Sequence, residues 1–202
     1  LTMKKFFALA LALVLALSLT VASADELKVI RVGATAAPHA EILESEAVTA
    51  KLAELGYKLE VVVYEGYVLE NPAVADGTDD ANYFQHKPYL DSESEQLVSA
   101  FTVHYEPFAI YSKKVTSLAD LQDGAHIGLP NDPSNETRAL LLLEAAGLIT
   151  VPEGTTAASA LTKYDITAEM NPHGYVFDEV AAELLAPTLE DYDIAVINGN
   201  YA

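Results

Sequence analysis

Two short runs rich in β-branched residues, Lys28 to Val32 and Leu59 to Tyr64, stand on either side of one stretch with helical spacing, His39 to Leu55. Within that stretch Ile42, Leu43, Ala47, Val48, Leu52 and Leu55 fall near one stripe, while Glu44, Lys51 and Glu54 can face water. Gly56 is placed to cap the end of this helix. A strand, one crossover helix and a second strand make a βαβ unit, which predicts a parallel pair within one sheet and an α/β fold.

A second unit follows the same logic. Ala125 to Leu129 reads as a strand, Pro130 to Pro133 as its turn, and about Ser134 to Ala146 as a helix that ends at Gly147. The run Leu140 to Leu143 makes this helix largely buried, and Asp193 to Ile197 reads as a further strand. Between the units, Tyr105 to Tyr111 is aromatic and extended, and Ser112 to Leu121 opens a short helix, so a lobe boundary is expected near Tyr111. Ile149 to Ala160 reads as irregular. A ligand then belongs between two α/β lobes, where loops at the carboxyl ends of strands converge.

At the start of the chain Lys4 and Lys5 precede an apolar run from Phe6 to Leu19, and Ala22-Ser23-Ala24 stands before Asp25. That is the pattern of a secretory signal peptide over 1–24. The run is shorter than the ~20 residues of a membrane-spanning helix; an uncleaved anchor is the other reading. The expected location is therefore across the cytoplasmic membrane, periplasmic or at the cell surface. There is no Cys, which excludes disulfides, thiolate metal sites and lipid attachment through a thiol, and leaves stability to a hydrophobic core. The formal charge of −19 disfavours nucleic acid and anionic membranes as partners.

Catalytic signatures are missing from the sequence. It has no Gly-x-Ser-x-Gly elbow, P-loop, Gly-x-Gly-x-x-Gly or His-Glu-x-x-His, so it reads as no enzyme and calls for no cofactor. His39, His86, His104, His126 and His173 include no pair at metal-ligand spacing, so no metal site is expected. Asp79-Asp80 reads as an ordinary surface pair of carboxylates.

Three segments stand out. Gly77 to Leu90 crowds aromatic and polar side chains into a loop-like stretch; Phe84 and Tyr89 are either core residues with His86 a satisfied partner, or the wall of a pocket for a small amphipathic molecule. Pro130 to Arg138 opens a helix whose first-turn amides and dipole favour an anion, with Asn135 and Arg138 on one face. Arg138 is either paired with a surface Glu or free to grip a ligand carboxylate by two parallel hydrogen bonds. Asn198-Gly199 is in itself a plain turn signal.

Together these stretches resemble the methionine-binding lipoproteins of the NlpA type, the solute-binding proteins of methionine ABC importers. The likeness runs from about Val29 to Ala202. It is carried by Tyr67-Val68-Leu69-Glu70-Asn71, Asp80 to Leu90 with its Phe-Gln-His-Lys-Pro-Tyr-Leu, Tyr111-Ser112-Lys113-Lys114, Leu129 to Asn135 with Arg138, and Ala195 to Ala202. The resemblance implies a two-lobed fold of the periplasmic-binding-protein type II kind, monomeric, closing on methionine and delivering it to an ABC transporter permease. Tyr67, Phe84, His86 and Tyr89 would line one wall and Asn135, Arg138 and Asn198 the other. A relative tuned to another amino acid, a methionine derivative or a small peptide is the alternative reading, and a surface adhesion protein on the same fold is the alternative of a different class.

The same resemblance divides the chain into a first lobe over 25–110, a second over 111–197 and the start of a crossover back over 198–202. Family members carry a lipidated Cys after the signal, which this sequence lacks, and they continue past Ala202. The first lobe is accordingly expected to be incomplete without a C-terminal return segment.

Overall fold

The structure is a computed structural model that describes residues 26–202, so the expected signal peptide lies outside the described residues. Strands β1 (Lys28–Thr35) and β2 (Tyr57–Tyr64) pair in parallel over their whole length, from Lys28 opposite Tyr57 to Thr35 opposite Tyr64. The crossover between them is two helices, α1 (Glu41–Glu44) and α2 (Glu46–Glu54), where the sequence predicts one. Ser45 divides them: its backbone is extended, and its hydroxyl donates to the Ile42 carbonyl at 2.7 Å, a local bond that competes with helix continuation. The amphipathic stripe is only partly right. Ile42, Leu43, Val48 and Leu52 are half-buried, but Ala47 is exposed and Leu55 remains 61% exposed. Gly56, at φ 85°, takes the left-handed conformation that ends the crossover.

The segment that reads as a loop, 77–90, is better ordered than its composition suggests. After α3 (Glu70–Ala75), β3 (Ala81–Tyr83) adds to the free edge of β1 in parallel, giving the order β2-β1-β3, and α4 (Lys87–Glu93) follows. Two aspartates dock this segment. The Asp80 carboxylate accepts from the Arg31 amide at 2.8 Å, and Asp79, only 1% exposed, accepts from Arg31 Nε at 2.8 Å and from the Tyr64 hydroxyl at 2.9 Å. Asp79 is therefore no surface carboxylate but a buried, paired one. Gly33 makes room for it, since a Cβ there would stand 2.9 Å from Asp79 Oδ2.

No regular element lies between Glu93 and Phe108. The second sheet has the order β4-β7-β5-β6 and comprises β4 (Phe108–Tyr111), β5 (His126–Pro130), β6 (Val176–Val180) and β7 (Ile194–Asn198). Strand β5 is parallel to both neighbours, and β4 runs antiparallel to β7 with Phe108 opposite Asn198. The boundary expected near Tyr111 thus falls inside a strand of the second sheet, and the change of sheet occurs in 94–107. The helix expected from Ser112 reduces to one 3-10 turn, Leu118–Asp120, because the Ser112 hydroxyl accepts from the amides of Lys114 and Val115, both at 3.0 Å, and holds a turn instead.

Helix α5 (Pro133–Ala145) packs Ala139, Leu140 and Leu143 against Ile127 and Leu129 of β5 and Ile194 and Val196 of β7, all fully buried. A smaller cluster of Leu185, Tyr192, Ala195 and Ile197 lies beside α6 (Ala182–Leu185). The first sheet has nothing comparable among the described residues; Val29, Val63, Val98, Phe101 and Val103 are all exposed. No helix among the described residues is long and apolar enough to cross a membrane.

Candidate ligand-binding site

The side chains of interest follow the carboxyl ends of β2 and β3 in the first sheet and of β5 and β7 in the second. On the second sheet, the turn after β5 leads into α5 through Asp132 at the N-cap and Pro133 at the first helical position. The Asp132 carboxylate accepts from the Asn135 amide at 2.9 Å, from Asn135 Nδ2 at 2.9 Å and from the Ser134 hydroxyl at 2.7 Å. Asn135 is thereby fixed with its carbonyl outward. That one oxygen accepts from Arg138 Nη1 at 2.9 Å and from Asn198 Nδ2 at 3.1 Å, so the three polar residues named from the sequence are joined at a single atom.

Arg138 is half-buried and makes no ion pair among the described residues. Its guanidinium lies 4.8 Å from the centre of the Phe108 ring and donates through Nη2 to the Glu106 carbonyl at 3.4 Å. The alternative of an Arg paired with a surface Glu is thereby set aside: it is a cation held by neutral groups.

The aromatic residues come from the first sheet. Tyr67 follows β2, while Phe84 and His86 follow β3 and lead into α4, which carries Tyr89. An amide cluster holds the turn, with Asn82 Nδ2 and Gln85 Nε2 donating to Asn71 Oδ1 at 2.9 and 2.7 Å. Tyr67 meets Tyr89 edge to face at 5.2 Å between centroids, Phe84 meets Tyr89 at 6.1 Å, and His86 stacks on Tyr89 at 6.4 Å. The two walls touch where the Tyr67 hydroxyl donates to Asp132 Oδ2 at 2.6 Å. Burial, and next the positive charge of Arg138, lower the His86 pKa to about 4, so its imidazole is neutral at pH 7.

Two residues at this junction escape the sequence reading. Asp132 is legible only as a helix cap, yet it also links the walls. Tyr201 stands 6.4 Å from the Tyr67 ring. Several buried polar atoms have no partner among the described residues: His86 Nε2, Asn198 Oδ1, the Tyr201 hydroxyl and both carboxylate oxygens of Glu70. Unmatched polar atoms are costly in a sealed core and useful in a cleft that takes up a polar guest.

Glu70 gives a pH dependence of known sign. Burial pushes its pKa from 4.5 up to about 7, so between those values the folded chain holds a proton that the unfolded chain releases. This contribution to stability is complete below about pH 4.5, falls as pH rises and is gone above about pH 7. Glu70→Gln, which cannot ionise, is expected to flatten that decline by up to about 3 kcal/mol, measured as urea-unfolding free energies from pH 4.5 to 7.5. Equal slopes for the two proteins would mean that Glu70 ionises freely in the fold.

The profile of a family described as NlpA lipoprotein matches residues 30–202. The chain is 45% identical over 212 residues to the methionine-binding lipoprotein MetQ of Bacillus subtilis (strain 168), an alignment covering 99% of this chain and 76% of that protein. It is 42% identical over 178 residues to outer membrane lipoprotein 1 of Mannheimia haemolytica, covering 86% of this chain but 62% of that one. A solved nutrient binding protein from Burkholderia cenocepacia, bound to methionine, superposes with a TM-score of 0.79 at 43% identity, over 86% of this chain and 73% of the other.

Proposed function

The chain belongs to the NlpA lipoprotein family, and on that premise we propose that it is an extracytoplasmic solute-binding protein that captures methionine and delivers it to the permease of an ABC importer. Its α/β fold is of the periplasmic-binding-protein type II kind, and its work is binding and not catalysis. It acts as a monomer outside the cytoplasmic membrane.

The observation that carries the reading is Arg138, a half-buried guanidinium held, among the described residues, by Phe108, Asn135 and the Glu106 carbonyl. A free amino acid presents a carboxylate, and the planar fork of Arg suits it. Asn198 shares Asn135 Oδ1 with Arg138, and its own unmatched Oδ1 can accept from the ligand's ammonium group. Tyr67, Phe84, His86 and Tyr89 enclose the side chain. Aromatic rings favour a thioether by about 0.3–1.5 kcal/mol per contact, and a neutral His86 adds no charge against an apolar guest. Because one wall comes from each sheet, ligand binding draws them together, and the closed form is the one a permease can recognise.

The test is a thermal-shift series on the purified chain with L-methionine, D-methionine, norleucine, alanine and glutamate. Methionine at a hundredfold excess over its Kd is expected to stabilise the chain by about 2.7 kcal/mol. Norleucine should do less and glutamate nothing. A shift with glutamate or alanine, and none with either methionine, would overturn the reading.

A further inference from the structure

We propose that His39, His104 and Glu106 form a binding site for a divalent transition-metal cation of the zinc type, at the point where the first sheet meets the segment leading into β4. The histidine spacing in the sequence gives no hint of it, because the fold brings the ligands together from separate stretches. His39 lies in the turn after β1, and His104 and Glu106 lie on the approach to β4.

The geometry is that of a ligand set. Glu106 Oε1 is 3.4 Å from His39 Nε2 and 3.1 Å from His104 Nε2, and all three atoms lie within 4.8 Å of one another. Nitrogen and oxygen ligands at about 2.0–2.2 Å from a tetrahedral zinc ion stand roughly 3.3–3.5 Å apart. The oxygen already stands close to that spacing from both nitrogens, and the two nitrogens draw together to receive the ion.

The surroundings match as well. Each imidazole has its other ring nitrogen on a hydroxyl, His39 Nδ1 on Thr35 Oγ1 at 2.6 Å and His104 Nδ1 on the Tyr83 oxygen at 2.7 Å. With Nδ1–H donated to those oxygens, both Nε2 lone pairs face the carboxylate, an arrangement that a cation between them completes. Thr35 ends β1 and Tyr83 ends β3, so two strands of the first sheet orient the two rings. His39 is buried at 3% exposure while His104 is open to solvent, which leaves one side free for a water as fourth ligand. Two imidazoles and a carboxylate suit zinc better than magnesium or calcium.

Such an ion would fasten the segment between the sheets to the first sheet. The Glu106 carbonyl accepts from Arg138, and the Pro107 carbonyl accepts from the Gly199 amide at 3.1 Å, so the anchored segment borders the ligand cleft. The metal site stands or falls independently of what the cleft binds.

The experiment is calorimetric titration of ZnCl2 into the untagged, chelator-treated chain, with zinc-edge X-ray absorption on the loaded protein. Saturable binding of about one ion per chain is expected, through two imidazoles and oxygen. His104→Gln and Glu106→Gln should each weaken it at least tenfold, whereas His126→Gln/His173→Gln, at two exposed histidines paired with Asp178 and Asp123, should not. His104 is exposed, so its replacement leaves the fold intact. Absence of saturable binding by the unaltered chain, full affinity in both ligand variants, or loss in the control pair instead would each overturn the proposal.

Discussion

Replacing Arg138 with alanine is expected to weaken methionine binding by about 2–5 kcal/mol, roughly thirtyfold to several thousandfold in Kd, as measured by calorimetry. The loss is large because the ligand carboxylate would be left in a half-buried site whose remaining donors are neutral and few. Stability should change far less, by about 1 kcal/mol, since the side chain's bonds to Asn135 and the Glu106 carbonyl and its stacking on Phe108 are all partly open to water. Arg138→Lys separates charge from shape. It keeps the cation and loses the planar fork, so its affinity should fall between the two. If Arg138→Ala binds methionine undiminished, the carboxylate sits elsewhere and Arg138 is a strut that holds the turn of Asn135 against the crossing segment.

What the sequence made legible follows from how far each element depends on its own residues. Strands β1, β2, β5 and β7 are apolar runs, and the parallel pairing of β1 with β2 is implied by the length of the crossover between them. Strand β6 gives no strand signal in the sequence, for it carries Asp178 and Glu179 in its middle. Those acids are accommodated by partners distant in sequence: His126 Nδ1 lies 2.8 Å from Asp178, and Lys163 Nζ lies 2.7 Å from Glu179. Strand β3 is equally hard to read, since the two aspartates just before it are docked by Arg31 on the neighbouring strand, 48 and 49 residues away. The candidate site divides likewise. Arg138 and Asn135 are visible as one face of one helix, but their union with Asn198 at a single carbonyl oxygen, and the link from Tyr67 to Asp132, exist only once both sheets have formed. Read from the residues alone, Phe84, His86 and Tyr89 could as well be core; the unmatched His86 Nε2 is what favours a cleft.

Leu140→Ala is expected to cost about 2–5 kcal/mol of unfolding free energy, equivalent to a fall in Tm of roughly 4–20 °C for a chain of this size. Leu140 is fully buried, and so are its neighbours Ile127, Leu129, Leu143, Ile194 and Val196, so the vacated volume cannot fill with water or with a mobile surface side chain. Leu142, half-buried at the margin of the same cluster, provides the comparison: its truncation should cost about half as much. The same helix carries Asn135 and Arg138 in its first two turns, and the packing of Leu140 and Leu143 is what holds those turns against β5 and β7. Methionine affinity measured well below the lowered Tm should therefore fall only modestly, since the Asp132 cap still fixes the first turn. A cost under about 1 kcal/mol would mean that α5 is held by its capped end and the Thr137 hydroxyl, which accepts from the Leu161 amide at 2.8 Å, and not by its apolar face.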